Sequence, residues 1–521
     1  VLYASHIDFE QTNTIQGELG EGTGGVTEPL RRRIILPMGG SLADTDHVIG
    51  HEIVHAFQFD VGSMSLSGVG ATSSGLHRLP LWFIEGMAEY LSLGPVDPHT
   101  AMWLRDAARQ EALPTIRDLN DPRYFPYRWG HAFWAYVGGR FGDEVIGRML
   151  RTGALTGDVD AAIESGVGLS AATLSSDWHA AIRAAYAPVL ASTTPPAEMG
   201  RLAIRGQKFG GDLNVGPAIS PDGRWIAFLS ERDLFSIELF VANAATGEVA
   251  HRLTSTASSP HYSSIQFIYS AGAWDADSRR LAIATVTGGR PALAIFDAVR
   301  GRREREIRID GVDEIFNPTW SPDGRRVAFT AMVRGLTDLY VVDLASGAAR
   351  ALTRDPFTDL QPAWSPDGRR IAFATDRFST RLESLSIGRY RLALVDPDSG
   401  NITEAGGFDS GKAITPQWSP DGETLYFVSD RDGIANLARL PLGGAPALLT
   451  NVSTGISGIT SSSPALSVSA RTGVAAFSVY DGGKYDIYTR SLADAAALPA
   501  PESRDAAQLP PLDRRTSRVQ A

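Results

Sequence analysis

The chain has 521 residues, of which 43% are hydrophobic and 21% are charged, and its net charge is -11. This length is too great for one hydrophobic core and predicts about two to four globular domains of ordinary composition. The acidic charge argues against nucleic acid or an anionic membrane surface as the main partner. No apolar run approaches the ~20 residues that cross a bilayer, so the sequence predicts no membrane span.

Cysteine is absent from the chain. The protein therefore has no disulfides, and any bound metal must be held by histidines and carboxylates. A cysteine-free chain suits an exported bacterial protein, so we expect a periplasmic or other cell-envelope location. The sequence begins at Val1 without a signal peptide, as expected of a mature or trimmed form.

Residues 1–195 combine two short strand patterns with longer helical ones, which predicts a mainly helical α+β domain. The strand patterns lie at 1–3 and 33–37, and the helical patterns at 44–60, 80–93, 98–111, 127–140, 142–152 and 170–190. Asp44 and Asp46 supply helix-start chemistry for the first of these helices. The Pro- and Thr-rich segment 192–196 marks the end of the domain.

The first predicted helix contains the sequence H-E-I-V-H at residues 51–55. This matches the pattern H-E-x-x-H, in which two histidines one turn apart share a helix face and bind one zinc ion. His51 and His55 are therefore predicted metal ligands for one Zn²⁺ per chain. Glu52 is placed to take a proton from an attacking water. Two surface histidines around an exposed acid are the alternative, and the apolar neighbours argue against it: Val48, Ile49, Ile53, Val54 and Phe57.

A catalytic zinc site needs a third protein ligand. A third histidine six residues after His55 is excluded because that position is Val61. Residues 82–90 read W-F-I-E-G-M-A-E-Y and closely resemble the W-x-x-E-G-x-A-x-Y element of gluzincin (peptidase MA-like) metallopeptidases. The resemblance implies that Glu85 is the third zinc ligand. It also implies that Glu89 hydrogen-bonds a zinc-bound histidine, the alternative being a solvated helix acid.

Residues 126–133 read P-Y-R-W-G-H-A-F and open the fourth predicted helix. This segment is similar to the Pro-Tyr-x-x-Gly segment of the aminopeptidase N family, whose tyrosine donates a hydrogen bond to the tetrahedral oxyanion. The resemblance implies this role for Tyr127. Tyr124 and His131 compete for the same role, and an ordinary buried aromatic is the alternative.

The segment 33–40 precedes the zinc-binding helix, and in this superfamily an edge strand at that point pairs with extended substrate. Aminopeptidases carry G-x-M-E-N there, and its Glu binds the substrate's free amine. Here the sequence is P-M-G-G at 37–40, without an acid, which argues against an aminopeptidase and favours an endopeptidase. No G-x-S-x-G segment occurs, which excludes a serine hydrolase of the prolyl oligopeptidase type.

The sequence from about residue 200 repeats itself. Ser-Pro-Asp-Gly begins at 220, 321, 365 and 419, with degenerate copies at 275 and 467. Spacings of 44 to 55 residues suit one four-stranded blade each. The repeats resemble those of the TolB-type propeller family, which implies an all-β six-bladed propeller over 200–490. We expect the strand-like residues 201–204 to complete the last blade.

Together these patterns imply a multidomain protein in which a gluzincin-like domain precedes a propeller. Residues 491–521 predict a disordered tail or linker. The implied function is zinc-dependent hydrolysis of peptide bonds in a peptide or protein substrate, with the propeller docking or filtering that substrate. The alternative is a cell-envelope binding or assembly protein whose propeller recognises a protein partner, with a structural or vestigial zinc site.

Overall fold

The computed structural model describes residues 1–12, 22–28, 33–67, 75–206, 211–233, 236–256, 264–493, 495–498 and 506–515. The described part of the chain has a helical N-terminal region and a β-rich C-terminal region. Its helices are α1 (His6–Glu10), α2 (Leu42–Ser67), α3 (Leu81–Leu93), α4 (Pro98–Arg109), α5 (Pro126–Phe141), α6 (Glu144–Thr156), α7 (Val159–Val167), α8 (Ala171–Ala191) and α9 (Pro196–Met199). None of these helices is long and apolar enough to cross a membrane.

The helical region is built around a core of large aromatic side chains. Trp82 and Phe83 of α3, Trp134 of α5 and Trp178 of α8 are all buried in one cluster. A small sheet lies beside α2, with strands β1 (Leu2–Tyr3), β2 (Val26–Glu28) and β3 (Arg33–Pro37). The strand order is β1-β3-β2. This core holds α2, α3 and α5 together, and these are the helices that carry the predicted site.

The C-terminal region consists of six sheets that follow one another along the chain and form the blades of a propeller. The first blade contains β5 (Asn214–Ile219), β6 (Trp225–Asp233), β7 (Ser236–Asn243) and β8 (Val249–Arg252). The second contains β10 (Ala273–Trp274), β11 (Arg280–Thr287), β12 (Arg290–Asp297) and β13 (Arg302–Arg308), with β9 (Ser264–Ile265) beside β11. The third contains β14 (Glu314–Trp320), β15 (Arg326–Val333), β16 (Leu336–Asp343) and β17 (Ala349–Ala351).

The fourth blade contains β18 (Asp359–Trp364), β19 (Ile371–Thr375), β20 (Arg391–Val395) and β21 (Ile402–Gly406). The fifth contains β22 (Ala413–Trp418), β23 (Thr424–Ser429), β24 (Asn436–Pro441) and β25 (Ala447–Leu448). The sixth contains β26 (Leu466–Val468), β27 (Val474–Asp481), β28 (Lys484–Ser491) and β4 (Arg201–Ile204). In the last blade, β4 pairs antiparallel with β28. The prediction that residues 201–204 complete the last blade is confirmed, so strands from both ends of the domain close the ring.

The repeated turn and the tryptophan before it explain how neighbouring blades join. In the third blade, Ser321 Oγ donates to Asp323 Oδ1 over 2.6 Å, which fixes the turn. The indole N–H of Trp320 donates to the carbonyl of Ala273 in the preceding blade over 3.0 Å. Arg280, also from the preceding blade, lies 4.6 Å from the Trp320 ring centroid. Trp274 and Trp418 make the same bond to the preceding blade, at 2.9 Å each, whereas the indole N–H of Trp364 donates to Gly368 O of its own turn.

The C-terminal segment differs from its prediction as a disordered tail or linker. Residues 506–515 run along the helical region, where the N–H of Leu509 donates to Pro95 O over 2.8 Å and that of Asp97 donates to Ala507 O over 3.0 Å. The Leu509 side chain is fully buried in the aromatic core. Composition predicted disorder, but apolar burial outweighs the cost of ordering this segment. Residues 499–505 and 516–521 lie outside the described residues.

Helix α4 joins the helical region to the propeller. The fully buried Arg105 donates to Ser453 O over 2.9 Å and to Ala506 O over 2.7 Å, so it contacts the propeller and the C-terminal segment at once. The Asp106 carboxylate accepts N–H bonds from Gly482 and Gly483 in the β27–β28 turn, at 3.0 and 2.9 Å. These buried charge-assisted bonds fix the propeller against the helical region.

Candidate metal centre

Helix α2 carries the H-E-x-x-H residues on its inner face. Ser41 caps the helix, because its Oγ accepts the N–H of Asp44 over 3.0 Å. The helix therefore begins two residues before the predicted start, and Asp44 lies in its first turn. His51 and His55 are both buried, whereas Ile53 on the opposite face is 41% exposed. The 3.6-residue period thus directs both imidazoles toward α3.

Three potential ligand atoms converge at this point. His51 Nε2, His55 Nε2 and Glu85 Oε2 lie 3.1 Å from one another along all three edges of a triangle. Nitrogen and oxygen ligands of a tetrahedral zinc ion lie 2.0–2.2 Å from the metal and therefore about 3.3 Å from each other. Two imidazoles and one carboxylate are also a zinc-type donor set. The residues present therefore fit one zinc ion.

Helices α3 and α5, which carry Glu85 and Tyr127, cross in backbone contact. A Cβ added to Gly86 would lie 2.2 Å from Gly130 Cα, and one added to Gly130 would lie 2.1 Å from Trp82 O. Such a close crossing requires glycine on both helices. The two glycines of the sequence motifs therefore set the distance between the third candidate ligand on α3 and Tyr127 on α5.

The outer nitrogens of both histidines face hydrogen-bond acceptors. His51 Nδ1 lies 3.0 Å from Glu89 Oε1, and His55 Nδ1 lies 2.8 Å from Gln58 Oε1. Gln58 is itself fixed by donation to the Ile84 carbonyl over 2.9 Å. Acceptors at Nδ1 place a proton there and leave Nε2 free to bind a metal. Glu89 thus lies beside His51, and its role toward a zinc-bound histidine stays a prediction.

The electrostatics of the cluster favour positive charge between its members. Burial lowers the pKa of His51, but hydrogen bonds to Glu85 and Glu89 outweigh burial and raise it to about 9. Burial raises the pKa of Glu85, but hydrogen bonds to both histidines outweigh it and lower the value to about 2. The carboxylate is therefore ionised, and the site attracts a cation.

Glu52 lies beside the triangle and is held by the small sheet. Its Oε2 accepts the hydroxyl hydrogen of Thr27 on β2 over 2.6 Å. Gly25 leaves room for the other oxygen, because a Cβ there would lie 2.9 Å from Glu52 Oε1. Glu52, His51 and His55 place one ligand-type atom each within 4.8 Å of one another. Thr27 therefore fixes one oxygen of Glu52, and the lack of a side chain at Gly25 leaves room for the other oxygen.

Of the three candidates for oxyanion donor, Tyr127 lies at the cluster. Its ring stacks on His51 with centroids 5.9 Å apart. Burial, followed by the negative charges of Glu85 and Glu89, raises the pKa of Tyr127, so the phenol keeps its proton. Tyr124 packs on Trp129 instead.

His131, the remaining candidate, is fully buried away from the cluster. Its Nε2 lies 2.7 Å from Gly94 O, and its Nδ1 lies 3.0 Å from Thr100 Oγ1. Both ring nitrogens of His131 therefore have hydrogen-bond partners inside the fold, away from the cluster.

The position of β3 contradicts the prediction that segment 33–40 supplies an edge strand. β3 is the central strand, since Leu36 pairs with Leu2 on β1 and Ile35 pairs with Val26 on β2. Among the described strands, β2 is the edge on the side of Glu52. The carbonyl of Gly40 meanwhile accepts the Thr337 hydroxyl over 2.7 Å, so the propeller covers this segment.

Sequence reasoning missed several residues that support the cluster. Gln58 and Thr27 orient His55 and Glu52, as described above. His47 Nε2 lies 3.2 Å from Glu89 Oε1, and Arg128 donates to Glu89 Oε2 over 3.5 Å. One signal was available: His47 precedes His51 by four residues and therefore shares its helix face. Thr27 and Arg128 are brought near only by tertiary contacts.

The C-terminal region is similar to TolB proteins. The family model described as TolB beta propeller domain matches residues 261–381. The Tol-Pal system protein TolB of Bordetella pertussis is 31% identical over 174 residues, which are 33% of this chain and 36% of that protein. The same-named protein of Anaeromyxobacter dehalogenans is 35% identical over 89 residues, 17% of this chain and 20% of that one. The chain thus covers about a third or less of these relatives.

Among solved structures, TolB from Acinetobacter baumannii matches with a TM-score of 0.36 and 20% identity, covering 62% of this chain and 71% of that one. The family-model match at residues 261–381 shows that the protein carries a TolB-like propeller domain, which is joined to a helical region that holds the candidate metal centre.

Proposed function

We propose that the protein is a zinc-dependent metallopeptidase that cleaves peptide bonds within a peptide or protein chain. The observation that carries this proposal is the 3.1 Å triangle of His51 Nε2, His55 Nε2 and Glu85 Oε2 with Glu52 beside it. A site kept only for structure has no need of a general base at this position. When bound, zinc supplies a Lewis acid and lowers the pKa of water.

The chain's own residues have separate tasks in this proposal. Glu52 takes a proton from the attacking water and delivers it to the leaving amine. Tyr127, which keeps its proton, donates a hydrogen bond to the oxygen that gains negative charge. Glu89 and Gln58 hold the two histidines in the tautomer that presents Nε2.

The sheet beside α2 suggests how the substrate backbone binds. An extended peptide pairs with the outer edge of β2, whose Thr27 contacts Glu52. Segment 37–40 itself carries no acid to bind a free amine, and Gly40 is covered by the propeller. These features support an endopeptidase over an aminopeptidase.

The test is hydrolysis of a denatured protein by the full chain, before and after chelator treatment and after zinc is restored. We expect cleavage inside the substrate chain, loss with chelator and recovery with zinc. Metal analysis of the purified protein should give about one zinc per chain. Cleavage that persists after complete metal removal would overturn the proposal.

The similarity to TolB supports a second candidate, a cell-envelope binding or assembly protein. The propeller has a funnel of about 310 Å³, lined by proline and tryptophan side chains that include Trp320, Trp364 and Trp418. The Ser-Pro-Asp-Gly turns line this funnel, at the strand ends opposite the hairpins that contact the helical region. In this candidate the funnel receives a protein partner, and the protein is periplasmic.

The two candidates differ in what they require of Glu52. In a strain that lacks the gene, Glu52→Gln should fail to restore the wild-type phenotype if the protein acts as a peptidase. It should restore that phenotype as well as wild type does if the protein acts by binding. A substitution at an exposed residue of the funnel, such as Arg471→Ala, should have the opposite pattern.

A further inference from the structure

A continuous series of aromatic rings connects the candidate metal centre to the propeller. From His51 it passes to Tyr127 at 5.9 Å, then to Phe125 at 5.3 Å and to Trp103 of α4 at 6.0 Å, as distances between ring centroids. It ends at Tyr480 of β27, whose ring stacks on Trp103 at 4.7 Å. The propeller therefore contacts the side chains beside the site through Trp103.

Phe125 is the exposed member of this series. It is 44% exposed, whereas Tyr480 is 6% exposed and Tyr127 and Trp103 are half-buried. Phe125 immediately precedes α5, two residues before the proposed oxyanion donor, and Pro126 at the first helical position fixes its backbone. A large apolar side chain is thus held in water next to the candidate reaction centre.

We propose that Phe125 and Trp103 form a subsite for an aromatic or large aliphatic side chain of the substrate, within about three residues of the scissile bond. This inference rests on the proposed peptidase function and names its substrate class. The two ring contacts between His51 and Phe125 span at most about 11 Å, and an extended peptide advances about 3.3 Å per residue, which gives this range. An apolar substrate side chain covers the exposed Phe125 ring and leaves water itself.

Tyr480 is a positioning residue for this subsite. It supports the face of Trp103, and the turn that follows β27 is fixed by Asp106, which accepts N–H bonds from Gly482 and Gly483. The orientation of Trp103 therefore depends on the propeller. In this way the propeller influences substrate choice through the wall of the cleft.

The test uses the zinc-loaded full chain and sets of quenched peptides, each set differing at one position within three residues of the cleaved bond. We expect kcat/KM for Phe or Leu to exceed that for Ser or Glu by about 10- to 100-fold. Phe125→Ala should remove most of this preference, chiefly through a higher KM for the Phe peptide. Phe378→Ala is the matched control, because Phe378 is 39% exposed on the propeller and should leave the preference unchanged.

A second pair of variants tests the propeller's part. Tyr480→Ala should weaken the preference, whereas Tyr480→Phe keeps the ring and should retain it. Circular dichroism shows that each variant is folded. Equal preferences in Tyr480→Ala, Tyr480→Phe and wild type would overturn the positioning role.

Peptide binding to Glu52→Gln separates this inference from the proposed function. Tryptophan fluorescence should report tighter binding of the Phe peptide than of the Ser peptide, and Phe125→Ala in the same background should abolish the difference. Chelator-sensitive cleavage without any apolar preference would overturn the subsite and leave the peptidase standing. Selective, Phe125-dependent binding without cleavage by wild type would overturn the peptidase and leave the subsite.

Discussion

Replacing Gly130 with alanine should damage both stability and the metal centre, because this glycine lies where α5 crosses α3. The new methyl carbon would lie 2.1 Å from Trp82 O, whereas ordinary contacts begin at about 3.4 Å, so the helices must separate by about 1.3 Å. Overpacking of this kind costs about 1–3 kcal/mol or more, against a gain of about 1 kcal/mol in helix propensity. We expect a net loss of about 2 kcal/mol in the free energy of unfolding.

The same separation moves Glu85 relative to His51 and His55. A misplacement of about 1 Å in a catalytic group costs on the order of 100-fold in rate, so kcat/KM should fall by about that factor. Urea unfolding followed by far-UV circular dichroism gives the stability, and hydrolysis of a quenched peptide gives the rate.

Gly147→Ala is the matched control for this substitution. Its methyl group, also inside a helix, would meet only Arg151 Nη1 at 3.7 Å. It should therefore stabilise the protein by about 0.5–1 kcal/mol. If Gly130→Ala is as stable and as active as Gly147→Ala, the close crossing of α3 and α5 does not set the site.

Three further outcomes follow from buried contacts. Gln58→Ala removes the acceptor at His55 and should weaken zinc binding by about 10- to 100-fold in a chelator competition, and unchanged affinity would contradict its orienting role. Leu509→Ala should cost about 2–4 kcal/mol in urea unfolding, whereas Leu512→Ala, at a position 59% exposed in the same segment, should cost less than about 0.5 kcal/mol. Burial raises the pKa of Glu314 to about 7, so ionisation of this side chain destabilises the folded state. The free energy of unfolding should therefore fall by about 3 kcal/mol as the pH rises from about 4.5 to about 7. The change in the free energy of unfolding caused by Glu314→Gln should therefore be more favourable at pH ~8 than at pH ~5. An equal change at both pH values would contradict this.

Local patterns in the sequence predicted the blades well. The Ser-Pro-Asp-Gly turns mark them because each turn is stabilised within itself, as Ser321 and Asp323 show. The amphipathic helices were also predicted, but α7 (Val159–Val167) was missed because nine residues give a weak periodic signal. The C-terminal segment was misjudged because its order depends on Leu509 filling a distant core, which composition does not reveal.

The sequence brought His51 and His55 together because H-E-x-x-H places them on one helix face, and Glu85 was added because its segment resembles that of gluzincins; the structure places the three side chains next to one another. The strand order of the small sheet could not be predicted from local patterns. Its strand order depends on residues 2–3 pairing in parallel with β3, a long-range contact without a local signal. The roles of Thr27 and Tyr480 likewise arise only when separate elements meet, so the propeller's contribution to the cleft could not be predicted.

The most direct test of the central claim compares wild type with Glu52→Gln, both loaded with zinc and shown to be folded. The substitution keeps the size of the side chain and leaves His51, His55 and Glu85 to hold the metal. The account predicts about one zinc per chain in both proteins, peptide cleavage by wild type and a loss of at least about 100-fold in the variant. Equal cleavage by the two zinc-loaded proteins would contradict it.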